Sequence, residues 1–284
     1  MGRSEIEEVM EKSEDINNLE RLPEGCISDV LSLTSPADVC RSSLLSNLIK
    51  SAADSDVIWE KFLPADYQDI ISRAFYPVPS AALSKKELYY RLCGNPLLID
   101  GGLKSFQLEK SSGKKCIMLG AKELDIAWGD NPQHWYWRGY PGSRFVEVAE
   151  LKWSCWLEIH GKLETRLLSP NTLYAAYLVL KFKQDVYGFD EEPIKANVKV
   201  VGRAGGINSQ ERCIYLSPNG GKGQNVARKR GDGWMEVELG HFYNGEFGDN
   251  EGREVHMSVL ETEILGAKYG IVVQGMELRP KADT

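Results

Sequence analysis

Two periods of hydrophobicity divide this chain, and the second constrains its fold most. From about residue 104 onward, apolar residues recur at every other position. Tyr174, Ala176, Leu178, Leu180 and Phe182 form one run, Met235, Val237 and Leu239 another, and Val255, Met257 and Val259 a third. Side chains alternate between the two faces of a strand, so this spacing predicts half-buried strands. Trp153, Cys155, Leu157 and Ile159 alternate likewise with Ser154, Trp156, Glu158 and His160, and Ile271-Val272-Val273 is a shorter β-branched run. Turn clusters such as Asn219-Gly220-Gly221 and Gly231-Asp232-Gly233 separate these segments. Many short strands and few helices predict an all-β sandwich of jelly-roll type over residues 104–281.

Upstream the grammar is helical. Leu22-Pro23 opens a segment in which Ile27, Val30, Leu31 and Leu33 fall near 3-to-4 spacing. Ser35-Pro36 stops that helix and starts another, with Ser35 as cap and Pro36 at the first helical position. Asp54-Ser55-Asp56 caps a third before Val57-Ile58-Trp59, and Pro64 ends it. Three helices within residues 20–63 make a small core, marginal by itself. Residues 64–103 read as a connector with one helix near Ser84–Leu92, capped by Ser84 with Glu87 three residues on. The first twenty residues carry seven acids against Arg3 and Lys12, so residues 1–19 are predicted to be a disordered acidic head.

Charge and composition exclude several functions. A net charge of -7 disfavours nucleic acid as the partner, since phosphate binding wants a basic surface. No apolar run approaches the roughly 20 residues that span a bilayer, so no membrane association is expected. The acidic start is unlike a signal peptide. Six cysteines without a Cys-x-x-Cys pair predict free thiols, and with them a cytoplasmic and nuclear protein. The glycine-rich stretches at 202–206 and 220–223 lack the Gly-Lys-Ser/Thr ending of a phosphate loop and read as turns. Arg228-Lys229-Arg230 reads as a solvated loop. The four histidines have no metal-ligand spacing, and no motif selects a pair of carboxylates or a nucleophile with its base. No metal, cofactor or enzymatic activity is expected.

The residues of the helical module resemble an F-box: Leu22-Pro23, Ile27, Val30-Leu31, Leu33, Ser35-Pro36, Asp38-Val39-Cys40 and Val57-Ile58-Trp59. The resemblance implies docking on the Skp-type adaptor of a cullin-RING ubiquitin ligase, through Leu22, Pro23, Ile27, Val30, Leu31, Leu33, Pro36, Val39 and Trp59. One departure is Asn47 and Ile49, where many relatives carry a basic residue followed two positions later by an aromatic.

Between Leu124 and Trp137 lie three tryptophans and a tyrosine, broken by Gly129 and Pro132. Rings this dense beside turn residues suggest a recognition surface. Together with Trp156-Leu157-Glu158-Ile159-His160-Gly161-Lys162, the run 233–240 and the run 275–281, this segment resembles the Nictaba-like lectins, the phloem protein 2 family of plants. A pyranose offers an apolar face to an indole and a hydroxyl rim to carboxylates. The resemblance implicates two tryptophans seven residues apart, matched by Trp128 and Trp135. It also implicates two glutamates seven apart, matched by Glu254 and Glu261, with Glu251 and Glu263 close by. Trp137, Trp153 or Trp156, and Trp234 read instead as core. The combination implies a substrate receptor that binds the ligase adaptor at one end and a glycan or glycoprotein at the other. Two alternatives stand beside it: a protein-binding module whose sugar site has decayed, and a free-standing cytosolic lectin.

Overall fold

Short polar side chains at the chain's turns decide where its helices begin. In the computed structural model, which describes residues 21–189, 193–202, 207–217, 225–245, 252–263 and 266–281, six α-helices precede the strands. They are α1 (Glu24–Leu31), α2 (Pro36–Ser42), α3 (Asn47–Ala53), α4 (Asp56–Phe62), α5 (Tyr67–Ser72) and α6 (Lys85–Gly94). Ser35 accepts from the Asp38 amide at 3.1 Å to cap α2, and Ser84 with Glu87 closes a reciprocal capping box on α6. The segment expected to hold three helices holds four. The additional break comes where Ser46 accepts from the Ile49 amide at 3.3 Å and starts α3 anew. The acidic head lies outside the described residues.

The chain forms two compact units. The helical unit takes residues up to 69 together with 78–95 and 108–113. Ile27, Ile49, Ile58, Trp59, Leu88 and Tyr89 are buried at its centre. The Trp59 ring sits 5.1 Å from Tyr89 and 5.4 Å from Tyr90, and its Nε1 donates to the Ala53 carbonyl at 2.7 Å. Helix α6 therefore supplies part of the core that α1–α4 lack, and 64–103 is more than a connector with one helix. It carries both α5 and α6, and divides its residues between the two units.

The β unit takes residues 70–77, 96–107 and 114 onward. Its strands are β1 (Leu97–Ile99), β2 (Lys104–Leu108), β3 (Lys115–Gly120), β4 (Asp125–Ile126), β5 (Trp135–Arg138), β6 (Val148–Leu151), β7 (Leu157–Glu164), β8 (Thr172–Tyr187), β9 (Ile194–Val201), β10 (Ile207–Ile214), β11 (Arg228–Lys229), β12 (Met235–Asn244), β13 (Glu254–Glu261) and β14 (Tyr269–Pro280). One sheet runs β1-β2-β3-β14-β8-β12-β11, with β6 also pairing β14 and β5 pairing β6. The second runs β10-β9-β13-β7-β4, and the named pairings in both are antiparallel. Leu157, Ile159 and Leu163 of β7, with Val255, Met257 and Val259 of β13, are buried, as the period-two pattern requires. The sheets meet closely at Gly161, where an added Cβ would lie 3.0 Å from the Met276 sulfur of the opposite sheet.

The first sheet also carries a smaller core on its other face. Met118, Phe145, Val148, Val179, Trp234 and Val272 pack together there, and Trp234 Nε1 donates to the Gly142 carbonyl at 2.9 Å. Beside it the two arginines of the basic triplet are ion-paired, Arg230 half-buried and Arg228 still exposed. Arg230 bridges Glu236 at 2.9 Å and Glu277 at 2.6 Å, Arg228 meets Glu236 at 3.0 Å, and Arg144 meets Glu277 at 2.7 Å.

Candidate functional site

The aromatic segment is built on a turn whose geometry is costly. After β4, the Gly129 amide bonds the Ile126 carbonyl at 2.8 Å, closing a tight turn with Trp128 at its third position. Trp128 adopts φ 61°, a left-handed conformation that glycine takes freely and a bulky residue rarely does. Its ring stands 53% exposed. Strain of this kind persists where the surroundings fix it. Here the two following tryptophans do so. Trp135 Nε1 donates to the Ala127 carbonyl at 3.0 Å and Trp137 Nε1 to the Gly129 carbonyl at 2.8 Å, clamping the peptide on either side of Trp128. Asn131 adds an amide bond to the Trp128 carbonyl at 2.9 Å.

The expected pair is thereby divided. Trp128 is presented outward, whereas Trp135 is only 3% exposed and has no free face for a sugar. Trp135 anchors the turn. Trp137 is half-buried, with Lys122 Nζ 3.9 Å from its ring centre.

The ring that accompanies Trp128 at the surface is Trp153, half exposed at 49% and read from sequence as a core candidate. Between the two indoles sits His134. Its ring centre is 5.8 Å from that of Trp128 and 6.0 Å from that of Trp153, with planes inclined by 39° and 24°. The Trp156 ring centre lies 6.2 Å from that of Trp128. These separations suit offset packing, which leaves part of each outer face open. The His134 Nδ1 lies 2.8 Å from the Trp153 carbonyl. A carbonyl only accepts, so Nδ1 carries the proton and Nε2 of the neutral ring is an acceptor. The period-two reading carried Trp153 into the strand as a core residue, but β7 starts only at Leu157. Ser154 instead forms an isolated bridge with Lys268, exchanging bonds of 2.9 and 2.7 Å, which turns Trp153 outward.

The two glutamates do not converge. A separation of seven along one strand places them on opposite faces. It also sets their Cα atoms about 23 Å apart at ~3.3 Å per residue. Glu254 lies opposite Glu164, half exposed, and takes His256 Nε2 at 2.9 Å. Glu261 lies opposite Leu157 and is buried in an ion pair with Lys268. Lys268 Nζ in turn donates to the Cys155 carbonyl at 3.2 Å. Glu261 thus belongs to the support beneath the Trp153–Trp156 segment, not to its surface. Glu251 lies outside the described residues, and Glu263 pairs with Lys195.

The expected adaptor residues also divide. Ile27, Leu31, Pro36, Val39 and Trp59 are buried in the helical unit itself, as is Ile49 at the departure noted above. Leu22, Pro23, Val30 and Leu33 are exposed, and Asn47 is too. Val57, among the residues of the F-box resemblance, is exposed in the first turn of α4, and sequence spacing missed Leu44 and Leu45, which occupy the turn before α3. Six large apolar side chains of this unit are exposed by 39–85%.

Comparison with known proteins matches both units. A family model described as phloem protein 2 covers residues 114–280, and one described as F-box domain covers residues 19–61. The chain is 48% identical to F-box protein PP2-B10 of Arabidopsis thaliana over 91% of this chain and 92% of that protein. It is 45% identical to F-box protein At2g02240 of the same plant, over 91% and 79% respectively. Identity to the Arabidopsis F-box protein PP2-B15 is 40%, over 92% and 96%.

Proposed function

Since the chain belongs to the plant family of F-box proteins with a phloem protein 2-like, lectin-like domain, we propose that it is the substrate-recognition subunit of a cullin-RING ubiquitin ligase. The helical unit binds the Skp-type adaptor and the β unit binds a glycan or glycoprotein. The ligase chemistry belongs to its partners, and the protein works in the cytoplasm and nucleus. The observation that carries this reading is the division of the helical unit's apolar residues. One set fills its own core, and the other, with Leu22, Val30, Leu33, Leu44, Leu45 and Val57, is exposed to water by 39–85%. Burying such side chains against an adaptor would yield about 1.5–3 kcal/mol each before the costs of association.

At the other end, the half-exposed Trp128 and Trp153 fit the apolar face of a sugar. A shallow site of this kind binds a single sugar at about 0.1–1 mM, roughly 4–5.5 kcal/mol. Several glycans or added protein contacts would raise this through avidity.

Two assays on the full chain test the proposal. Capture of a purified Skp-type adaptor should be lost in Leu33→Asp, whose side chain has no role in the fold. A glycan array should show selective binding that Trp128→Ala removes while the circular dichroism spectrum is kept. A second reading, protein recognition by a decayed lectin, is favoured by the burial of Trp135 and Glu261. It predicts a blank array from folded protein that still captures the adaptor.

A further inference from the structure

A depression of about 440 Å³ opens on the face of the first sheet that carries the Trp234 core, where β5, β6, β14 and β8 lie side by side. Its size falls within the range of about 300–1,000 Å³ usual for small-ligand pockets. Trp128, His134 and Trp153 are not among its lining residues. Tyr136 of β5, 52% exposed, forms one wall and Tyr269 of β14 another, two strand spacings or about 10 Å apart across the sheet. Lys152, just past β6, and Lys183 of β8 add cations.

The floor is a buried charge. Glu150 lies opposite Tyr136 and is 7% exposed. Arg138 Nε lies 2.9 Å from one of its carboxylate oxygens, and Lys183 Nζ donates to the other at 2.8 Å. An apolar residue in its place would serve the sheet as well. The carboxylate instead fixes two cations at the floor, and its hydrogen bond with Lys183 raises that amine above its ordinary value of 10.5 and keeps it charged. Asp185 is the second acid, 3.9 Å from Lys183. Three cations, Arg138, Lys152 and Lys183, therefore face two carboxylates, which leaves one positive charge. Lys152 carries it, since its partner is the neutral Pro132 carbonyl at 2.7 Å.

The aromatic wall is preset as well. The pairing of β14 with β8 shifts register between Tyr269 and Ile271, and Gly270 takes φ 84° at that bulge. A Cβ there would lie 2.7 Å from the Val186 Cα. The bulge sets Tyr269 opposite Tyr187, and the two rings stack at 5.5 Å with planes 15° apart. Tyr269 is thus ordered before any ligand arrives, so binding does not have to order it.

We infer that this depression is a second ligand site of the β unit, one that takes an aromatic ring carrying a single carboxylate. The ring packs on Tyr136 and Tyr269, and the carboxylate meets Lys152 and Lys183. A monoanion balances the charge left over. A phosphate monoester would overshoot it, and a neutral ring would leave Lys152 unanswered. Two sources share this chemistry: a free aromatic acid, and the end of a peptide chain whose last residue is aromatic. The inference stands independently of the glycan reading.

The test is ligand-observed NMR titration of the full chain with phenylacetate, acetate, benzyl alcohol and phenyl phosphate. The tripeptide glycyl-glycyl-phenylalanine is added as its free acid and as its amide. Phenylacetate should bind at about 0.1–1 mM, with acetate, benzyl alcohol and phenyl phosphate about tenfold weaker or more. Tyr136→Ala and Lys152→Gln should each weaken it about fivefold, the loss of one ring contact or one cation, whereas Tyr136→Phe should keep the affinity. A tripeptide acid that binds more tightly than phenylacetate, with its amide silent, identifies a chain end as the ligand. Phenylacetate that binds while both tripeptides fail identifies a free acid. Equal binding of phenylacetate and benzyl alcohol, tighter binding of phenyl phosphate, or binding that persists in a folded Tyr136→Ala, Lys152→Gln double variant overturns the site. Loss of phenylacetate binding in a folded Trp128→Ala assigns the acid to the sugar surface and likewise overturns it. Absence of binding by folded protein up to about 10 mM does the same.

Discussion

Trp135 and Trp156 show how little the identity of a residue says about its use. Both are tryptophans near the aromatic turn, yet one secures the fold through its indole N–H, and the N–H of the other is buried without a partner among the described residues. A buried unpaired donor costs about 1–3 kcal/mol, while a satisfied one contributes roughly 0.5–1.5 kcal/mol. Trp135→Phe and Trp137→Phe should therefore each lower stability by about 1 kcal/mol and loosen the Trp128 turn. Trp156→Phe should leave stability unchanged or raise it. Urea midpoints of the three variants check this, and a Trp156→Phe variant as destabilised as Trp135→Phe would contradict it. The sequence displayed the aromatic density and the turn residues, so Trp128 was legible. The sign of its φ was not, because the bonds that hold it come from residues seven and nine positions later in the chain.

Among elements, β11, β12 and β14 are joined by an ionic network rather than by apolar contact alone. Burial by itself would raise the Glu277 carboxyl, but Arg144, Arg230 and Arg279 around it hold it below its ordinary value of 4.5, and Glu236 is lowered for the same kind of reason. A carboxyl lowered in the folded state stabilises fully above the unfolded value and loses that contribution as pH falls. The protein should accordingly hold its stability near neutral pH and lose it steeply below about pH 4.5. Glu277→Gln should cost about 3–5 kcal/mol at pH 7, because it leaves buried guanidinium groups short of a partner, and should flatten the acid limb. Guanidinium titrations at intervals from pH 7 to 3 read both effects. Much at this scale was legible in sequence. The alternation of β13 and the caps at Ser35 and Ser84 are local, and the fold keeps them, whereas β8, expected half-buried, is buried on both faces from Tyr174 to Leu180. The odd separation of Glu254 and Glu261 on one alternating run already placed them on opposite faces. The pairing of Ser154 with Lys268, which determines where Trp153 points, spans more than a hundred residues and leaves no local pattern.

At the scale of the whole molecule, the two units are distinct in core and interleaved in sequence. The chain passes between them at 69–70, 77–78, 95–96, 107–108 and 113–114. Residues 96–103 bring β1 to the first sheet, where Leu97 faces Phe106, and the Phe75 amide bonds the Leu98 carbonyl at 2.8 Å. A fragment of residues 104–284, the natural choice from the change in periodicity, lacks both pieces. It should be less stable than the full chain, with earlier proteolysis around β2, and adding back residues 70–103 should restore protection. Limited proteolysis followed by mass spectrometry distinguishes these outcomes, and equal protection of the short fragment would show the two pieces to be dispensable. The interleaving also bears on how such proteins diversify. A single recombination point cannot exchange one whole unit for another, because any one cut divides at least one of the two. Under the proposed function, a change of ligand would then come by substitution within the β unit, with the helical unit inherited alongside it.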